Sequence, residues 1–140
     1  MKLVRIAAVV LLAFLSLGAF VGSILMILDP TGKMMRMPLI LLRYSPFHSF
    51  LIPGVILFVS NGLLALVVLW MVWRRMPHYG LWTVLQGCVL MGWLAVECWM
   101  LRVVAWPHYF YGAVALALII TGLAIRREPA TCPRPRARQA

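Results

Sequence analysis

The stretch from Leu81 to Arg102, LWTVLQGCVLMGWLAVECWMLR, is apolar over the length of a membrane crossing, and only Gln86, Glu97 and Arg102 interrupt it. Residues three and four apart share a helix face, so Gln86, Leu90, Trp93 and Glu97 fall on one stripe. A carboxylate inside hydrocarbon points at protein or at a wet cavity, because lipid offers it no partner. The spacing therefore predicts that other helices gather around this face.

The rest of the chain supplies them. Of 140 residues, 64% are hydrophobic and 11% charged, which excludes an ordinary soluble domain. Four stretches each hold about 20 apolar residues, enough to cross roughly 30 Å of hydrocarbon. The expected fold class is all-α: a four-helix transmembrane bundle with a short interfacial segment in the first outer loop. Residues 1–125 form one membrane domain and 126–140 a disordered basic cytoplasmic tail. The net charge of +10 then reads as topology and anionic-lipid attraction, with no nucleic acid as partner.

The first apolar run, Ile6 to Leu28, is longer than the 7 to 15 residues of a secretory signal's apolar core, so it is expected to be a membrane helix. Gly18 and Gly22 make a Gly-x-x-x-Gly pair, suited to close packing inside the monomer or between copies. Asp29-Pro30-Thr31-Gly32 ends that helix with turn chemistry. Pro38 to Leu42, flanked by Lys33, Arg36 and Arg43, is too short to span and is placed at the interface or partly inserted against the bundle.

Ser45-Pro46 predicts the start of the second helix, running to Trp73 with a kink at Pro53-Gly54. Gly54, Phe58, Asn61 and Ala65 repeat the four, three, four spacing, and Asn61 near the midplane reads first as interhelical glue. Pro107 separates a third helix, Tyr79 to Ala105, from a fourth, His108 to Ile125, whose small residues Ala113, Ala117 and Thr121 suggest a packing stripe. With four spans, Lys2, Arg5, Arg74, Arg75 and the basic tail share one side. Lys33, Arg36, Arg43 and Arg102 lie on the other, so both termini are expected in the cytoplasm.

The candidate ligand or ion-pair residues are Glu97, Asn61, Gln86, Arg43, His48, Arg102, Asp29 and His108. Most belong to the outer ends of helices, where they would form a charged mouth. That mouth reads first as a salt-bridge network satisfying helix ends and second as a ligand site. Glu97 and Arg102, five apart, diverge around the helix, which favours Arg43 or His48 as the partner of Glu97.

Cys88, Cys98 and Cys132 make no Cys-x-x-Cys pair, no two histidines have ligand spacing, and no metal or cofactor is expected. Phosphate-binding Gly loops, His-Glu-x-x-His and Gly-x-Ser-x-Gly are lacking, so no catalytic activity is expected.

Leu28-Asp29-Pro30-x-Gly32, Pro38-Leu39, Ser45-Pro46-Phe47-x-x-Phe50-Leu51-x-Pro53-Gly54 and Asn61-Gly62 cover about a quarter of the chain. This pattern resembles an uncharacterised group of small bacterial four-span inner-membrane proteins. The resemblance implies a bacterial cytoplasmic membrane and no activity. In size the chain also resembles the small multidrug resistance transporters. It departs from them because their membrane acid lies in the first helix, and none precedes Asp29 here.

Two functions follow. One is a non-catalytic accessory subunit that associates with itself or another membrane protein, or that binds a lipid-like ligand. The alternative is a small oligomeric proton-coupled transporter using Glu97 and Asn61.

Overall fold

A computed structural model describes residues 2–127, and the basic-tail expectation therefore falls almost wholly outside the described residues. Four helices long and apolar enough to cross a membrane make up a bundle: α1 (Lys2–Leu28), α2 (Leu51–Arg74), α3 (Tyr79–Leu101) and α4 (Trp106–Arg126). The chain is a multi-pass membrane protein. At one end of the bundle lie the amino terminus, the Arg75–His78 turn and the end of α4. At the other lie the α1–α2 loop and the short α3–α4 turn.

The closest helix pair is α3 with α4. Its cause is a set of small residues seven apart, Gly80 and Gly87 on α3 facing Ala115 and Gly122 on α4. A Cβ built on Gly87 would stand 2.8 Å from the Ala115 carbonyl oxygen, and one on Gly122 would stand 2.8 Å from that of Gly80. Backbones that approach this closely gain dispersion contacts, the main attraction between helices in lipid. The fourth-helix stripe expected from Ala113, Ala117 and Thr121 is corrected: Ala113 is exposed and Ala117 half-buried. Val114, Ala115, Leu118 and Gly122 face inward instead. The small residues that matter sit one heptad apart, and a four-residue spacing selects the wrong edge of the helix.

On α1, Gly18 lies under the Tyr111 hydroxyl of α4, while Gly22 faces Leu57 of α2. Both glycines thus serve contacts within the monomer. Gly54 packs against Met26 and the Ser23 carbonyl of α1, which brings α1 and α2 together near the loop end.

The second helix departs from expectation at its start and in its middle. It begins at Leu51 rather than Pro46, because Ser45 closes a local turn in which its hydroxyl oxygen accepts the Phe47 amide at 3.1 Å. Pro53 then falls in the first helical turn, where its missing N–H costs nothing, so the expected kink has no cause there. Irregularity comes later, in a π-helical turn at Phe58–Leu63.

The other boundaries also shift slightly. Helix α3 stops at Leu101 with Arg102 in the left-handed region (φ 53°), and α4 begins at Trp106, with Pro107 in its first turn.

The α1–α2 loop closes over the bundle. A 3-10 turn at Leu39–Leu42 seats Leu42, and Phe50, Met26 and Met100 complete a small apolar cluster beneath it. The Phe50 amide donates to the Pro30 carbonyl at 3.0 Å, joining the two ends of the loop. Gly32 adopts φ 75°, and a side chain there would meet both the Met37 carbonyl and the Phe50 ring.

Candidate functional site

Two polar constellations lie along the inward stripe of α3, eleven residues apart and so about 16 Å along the helix. The deeper one centres on the π-helical turn. Gln86, fully buried, donates Nε2 to the Ser60 carbonyl at 3.2 Å and to Asn61 Oδ1 at 3.3 Å. Asn61 Nδ2 in turn donates to the Ser60 hydroxyl at 3.1 Å. From α1, the Ser16 hydroxyl donates to the Gly62 carbonyl at 3.1 Å.

A π-turn lengthens the backbone hydrogen-bond ring and loosens the regular carbonyl ladder. Here side chains from α1 and α3 bond to two carbonyls of that turn, so three helices are tied at one level. Asn61 and Gln86 are thereby brought together, while Gln86 Oε1 is buried without a partner.

The second constellation lies toward the loop end. A cavity of about 230 Å³ opens between α1, α2, α3 and α4. Its wall is mainly apolar, from Leu15, Leu57, Leu90 and Leu94, with Glu97, His108 and Tyr111 as its polar groups beside the Trp93 indole. Glu97 on α3 and His108 on α4 face each other, with Oε2 and Nε2 3.8 Å apart. The pair is sheltered, its side chains 24% exposed for Glu97 and 11% for His108.

Local sequence sets the histidine's orientation. His108 is the third residue of α4, and its Nδ1 accepts the backbone N–H of Ala105 at 3.1 Å, the position a capping glutamate would fill. The Ala105 carbonyl also stands 3.3 Å from Nδ1, but the backbone N–H has a fixed hydrogen that a protonated Nδ1 would oppose, which assigns the ring proton to Nε2, on the cavity side and without a hydrogen-bond partner.

The remaining sequence candidates are elsewhere. Arg43 and His48 are exposed, and neither pairs with Glu97; among the described residues His108 alone stands within ion-pair reach of it. The reason is the loop: Leu42 and Phe50 are the residues it buries, which turns Arg43 and His48 outward. Arg102 lies over the Tyr44 ring at 5.6 Å rather than over the acid.

Asp29 is engaged in its own turn, accepting the Thr31 hydroxyl and the Met34 amide, the latter at 2.8 Å. These donors, the Thr31 hydroxyl first and the Met34 amide second, hold its carboxyl below the ordinary aspartate range. The expected charged mouth is therefore reduced to one acid–imidazole pair, and Asp29, Arg43, His48 and Arg102 do not join it.

Tyr111, Ser16 and Ser60 were not singled out by sequence. Tyr111 had a signal, lying three residues after His108 and so on the same face of α4. Among the described residues no group of three or more His, Cys, Asp or Glu side chains converges as a metal site would require. Comparison with protein-family models, with curated proteins and with solved structures gives no match.

Proposed function

We propose that this is a non-catalytic membrane protein that holds a lipid-like ligand in the cavity between its helices. The observation that carries this reading is a mainly apolar cavity with few polar groups, the Glu97–His108 pair and the Tyr111 hydroxyl. Binding sites of this kind are mostly apolar with a few placed polar groups that fix orientation. Methionines 26 and 35 in the wall add adaptable surface, which suits chains of variable shape.

The same proposal places the protein in a bacterial inner membrane, with the Arg74–Arg75 turn and both termini in the cytoplasm. Arg126 and Arg127 would rest on anionic headgroups. A single cysteine introduced at Arg75 should then be labelled by a membrane-impermeant reagent only after the membrane is opened. As an accessory protein it would present its ligand, or its lipid-facing surface, to a second copy or to another membrane protein.

The transporter alternative has less support. Below the Asn61–Gln86 level, among the described residues, Ala8, Leu12, Val68, Val72 and Leu118 are fully buried in one apolar core, and the buried Thr83 hydroxyl there is spent on the Tyr79 carbonyl at 2.8 Å. Proton flux abolished by Glu97→Gln in reconstituted vesicles would reverse that judgement.

Extraction of the gently purified protein, followed by mass spectrometry of what it retains, tests the ligand reading. A lipid species enriched over the surrounding membrane is expected. Gly22→Phe, which fills the cavity from α1, should remove that enrichment while the helical content stays the same. A retained pool with bulk membrane composition would overturn the proposal.

A further inference from the structure

We infer that the ligand's head group is an uncharged hydroxyl, so that the cavity takes a single-chain or single-ring alcohol in preference to an amine, an acid or a hydrocarbon. This rests on the ligand-binding reading above and adds the chemistry of the head.

Three observations lead to it. First, His108 Nε2 carries its proton into the cavity and is unpartnered, since Nδ1 is occupied by the Ala105 amide. A buried donor left without an acceptor costs free energy, and a ligand acceptor relieves it. Second, Glu97 Oε2 is 3.8 Å away, beyond hydrogen-bond length yet close enough for one atom to touch both. An atom about 2.8 Å from each sits at the apex of a narrow triangle, and it must accept from Nε2 while donating to the carboxylate. A hydroxyl oxygen does both. An ammonium only donates and an ionised carboxylate only accepts, so each satisfies one partner and opposes the other.

Third, with Nδ1 taken by the Ala105 amide the imidazole is neutral, so it sets no positive charge beside Glu97 to hold an acidic head in a low-dielectric site. The tail's environment is equally defined. Leu15, Leu57, Leu90 and Leu94 line a space larger than the roughly 150 Å³ that suffices for one benzene ring, enough for a short chain or ring but not for a two-chain phospholipid.

The test uses the full chain in lipid nanodiscs with four matched radiolabelled probes, 1-decanol, decane, decylamine and decanoate, at equal mole fraction in the bilayer. Binding is read as the excess over Gly22→Phe. Decanol should exceed each of the others by about tenfold, the worth of one to two added hydrogen bonds. In His108→Leu its advantage over decane should fall to within about twofold, with decane binding retained.

Equal binding of decanol and decane to the unaltered protein would overturn the hydroxyl assignment and leave the ligand reading intact. A preference for decylamine or decanoate would also overturn it, by showing a charged head. Failure of all four probes to exceed Gly22→Phe would instead remove the ligand reading itself.

Discussion

Gln86 on α3 donates its side-chain amide to Asn61 Oδ1 on α2 at 3.3 Å, at the level where α2 departs from regular α-helix. The two features belong together. A π-turn in hydrocarbon exposes backbone that water cannot reach, and polar side chains from neighbouring helices are the available remedy. Gln86 bonds to the Ser60 carbonyl as well, and Ser16 reaches Gly62 from the opposite side. The polar level near the middle of the bundle is therefore a consequence of the backbone irregularity and also what sustains it.

Replacing Gln86 by Leu should destabilise the bundle by about 1–2 kcal/mol, since it strips partners from Ser60 and Asn61 at once. Asn61→Leu should cost a similar amount. The double variant should fall short of the sum by about 1 kcal/mol, because each single change already leaves the other side chain without its partner. Equilibrium unfolding in mixed micelles measures this cycle. Additivity within about 0.3 kcal/mol would mean that the two amides do not share an interaction.

The glycines separate into two kinds. A methyl on Gly87 would lie 2.7 Å from Ile119 Cγ1 and 2.8 Å from the Ala115 carbonyl, and one on Gly122 would strike the α3 backbone, whereas Gly92 and Gly112 have nothing within 4 Å. Gly87→Ala and Gly122→Ala should each lower stability by about 1–3 kcal/mol through forced separation of α3 and α4. Gly92→Ala and Gly112→Ala should leave it unchanged or raise it by up to about 1 kcal/mol, the helix-propensity gain. Thermal unfolding of the four variants in one detergent decides the matter.

Much of this architecture was legible beforehand, and the reasons are local. Four apolar runs of spanning length gave four helices, and the stripe from Gln86 to Glu97 pointed inward because its polar members need shelter. Asn61 met Gln86 because each is a buried amide at similar depth. What stayed hidden depends on neighbours distant in sequence. The π-turn has no composition of its own, and Phe58–Leu63 reads like any helix interior. The choice of His108 over Arg43 or His48 as the partner of Glu97 was set by how the α1–α2 loop folds, which two exposed side chains do not reveal. The α3–α4 contact was missed because Gly80 and Gly87 pair with Ala115 and Gly122 across helices, at a seven-residue spacing.

Gly18 and Tyr111 offer a swap. A methyl on Gly18 would come within 2.5 Å of the Tyr111 hydroxyl oxygen but 3.5 Å of the ring carbon that bears it, so the hydroxyl alone is in the way. Gly18→Ala should therefore cost about 1 kcal/mol by displacing Tyr111. In a Tyr111→Phe background the same change should cost close to nothing, because ordinary van der Waals separation remains. A Gly18→Ala penalty that persists without the hydroxyl would show that α1 and α4 are held apart by something other than this contact.

Asp29 gives the α1–α2 loop a defined pH response. Its carboxylate accepts the Thr31 hydroxyl and the Met34 and Thr31 amides, and these donors place its pKa below the ordinary aspartate value of about 3.9. A carboxyl whose folded pKa is depressed contributes stability at pH values above its unfolded pKa, and that contribution is lost as pH falls through the folded one. The amide of Met34 should thus stay protected from exchange between neutral pH and about pH 4, after correction for intrinsic rates, and lose protection only in more acid solution. Asp29→Asn keeps an acceptor oxygen but cannot titrate, so its Met34 protection should be lower at neutral pH and flat with pH. A Met34 amide in the unaltered protein whose protection ignores acid would show that the loop is held by Leu42, Phe50 and the Phe50–Pro30 bond without help from this carboxylate.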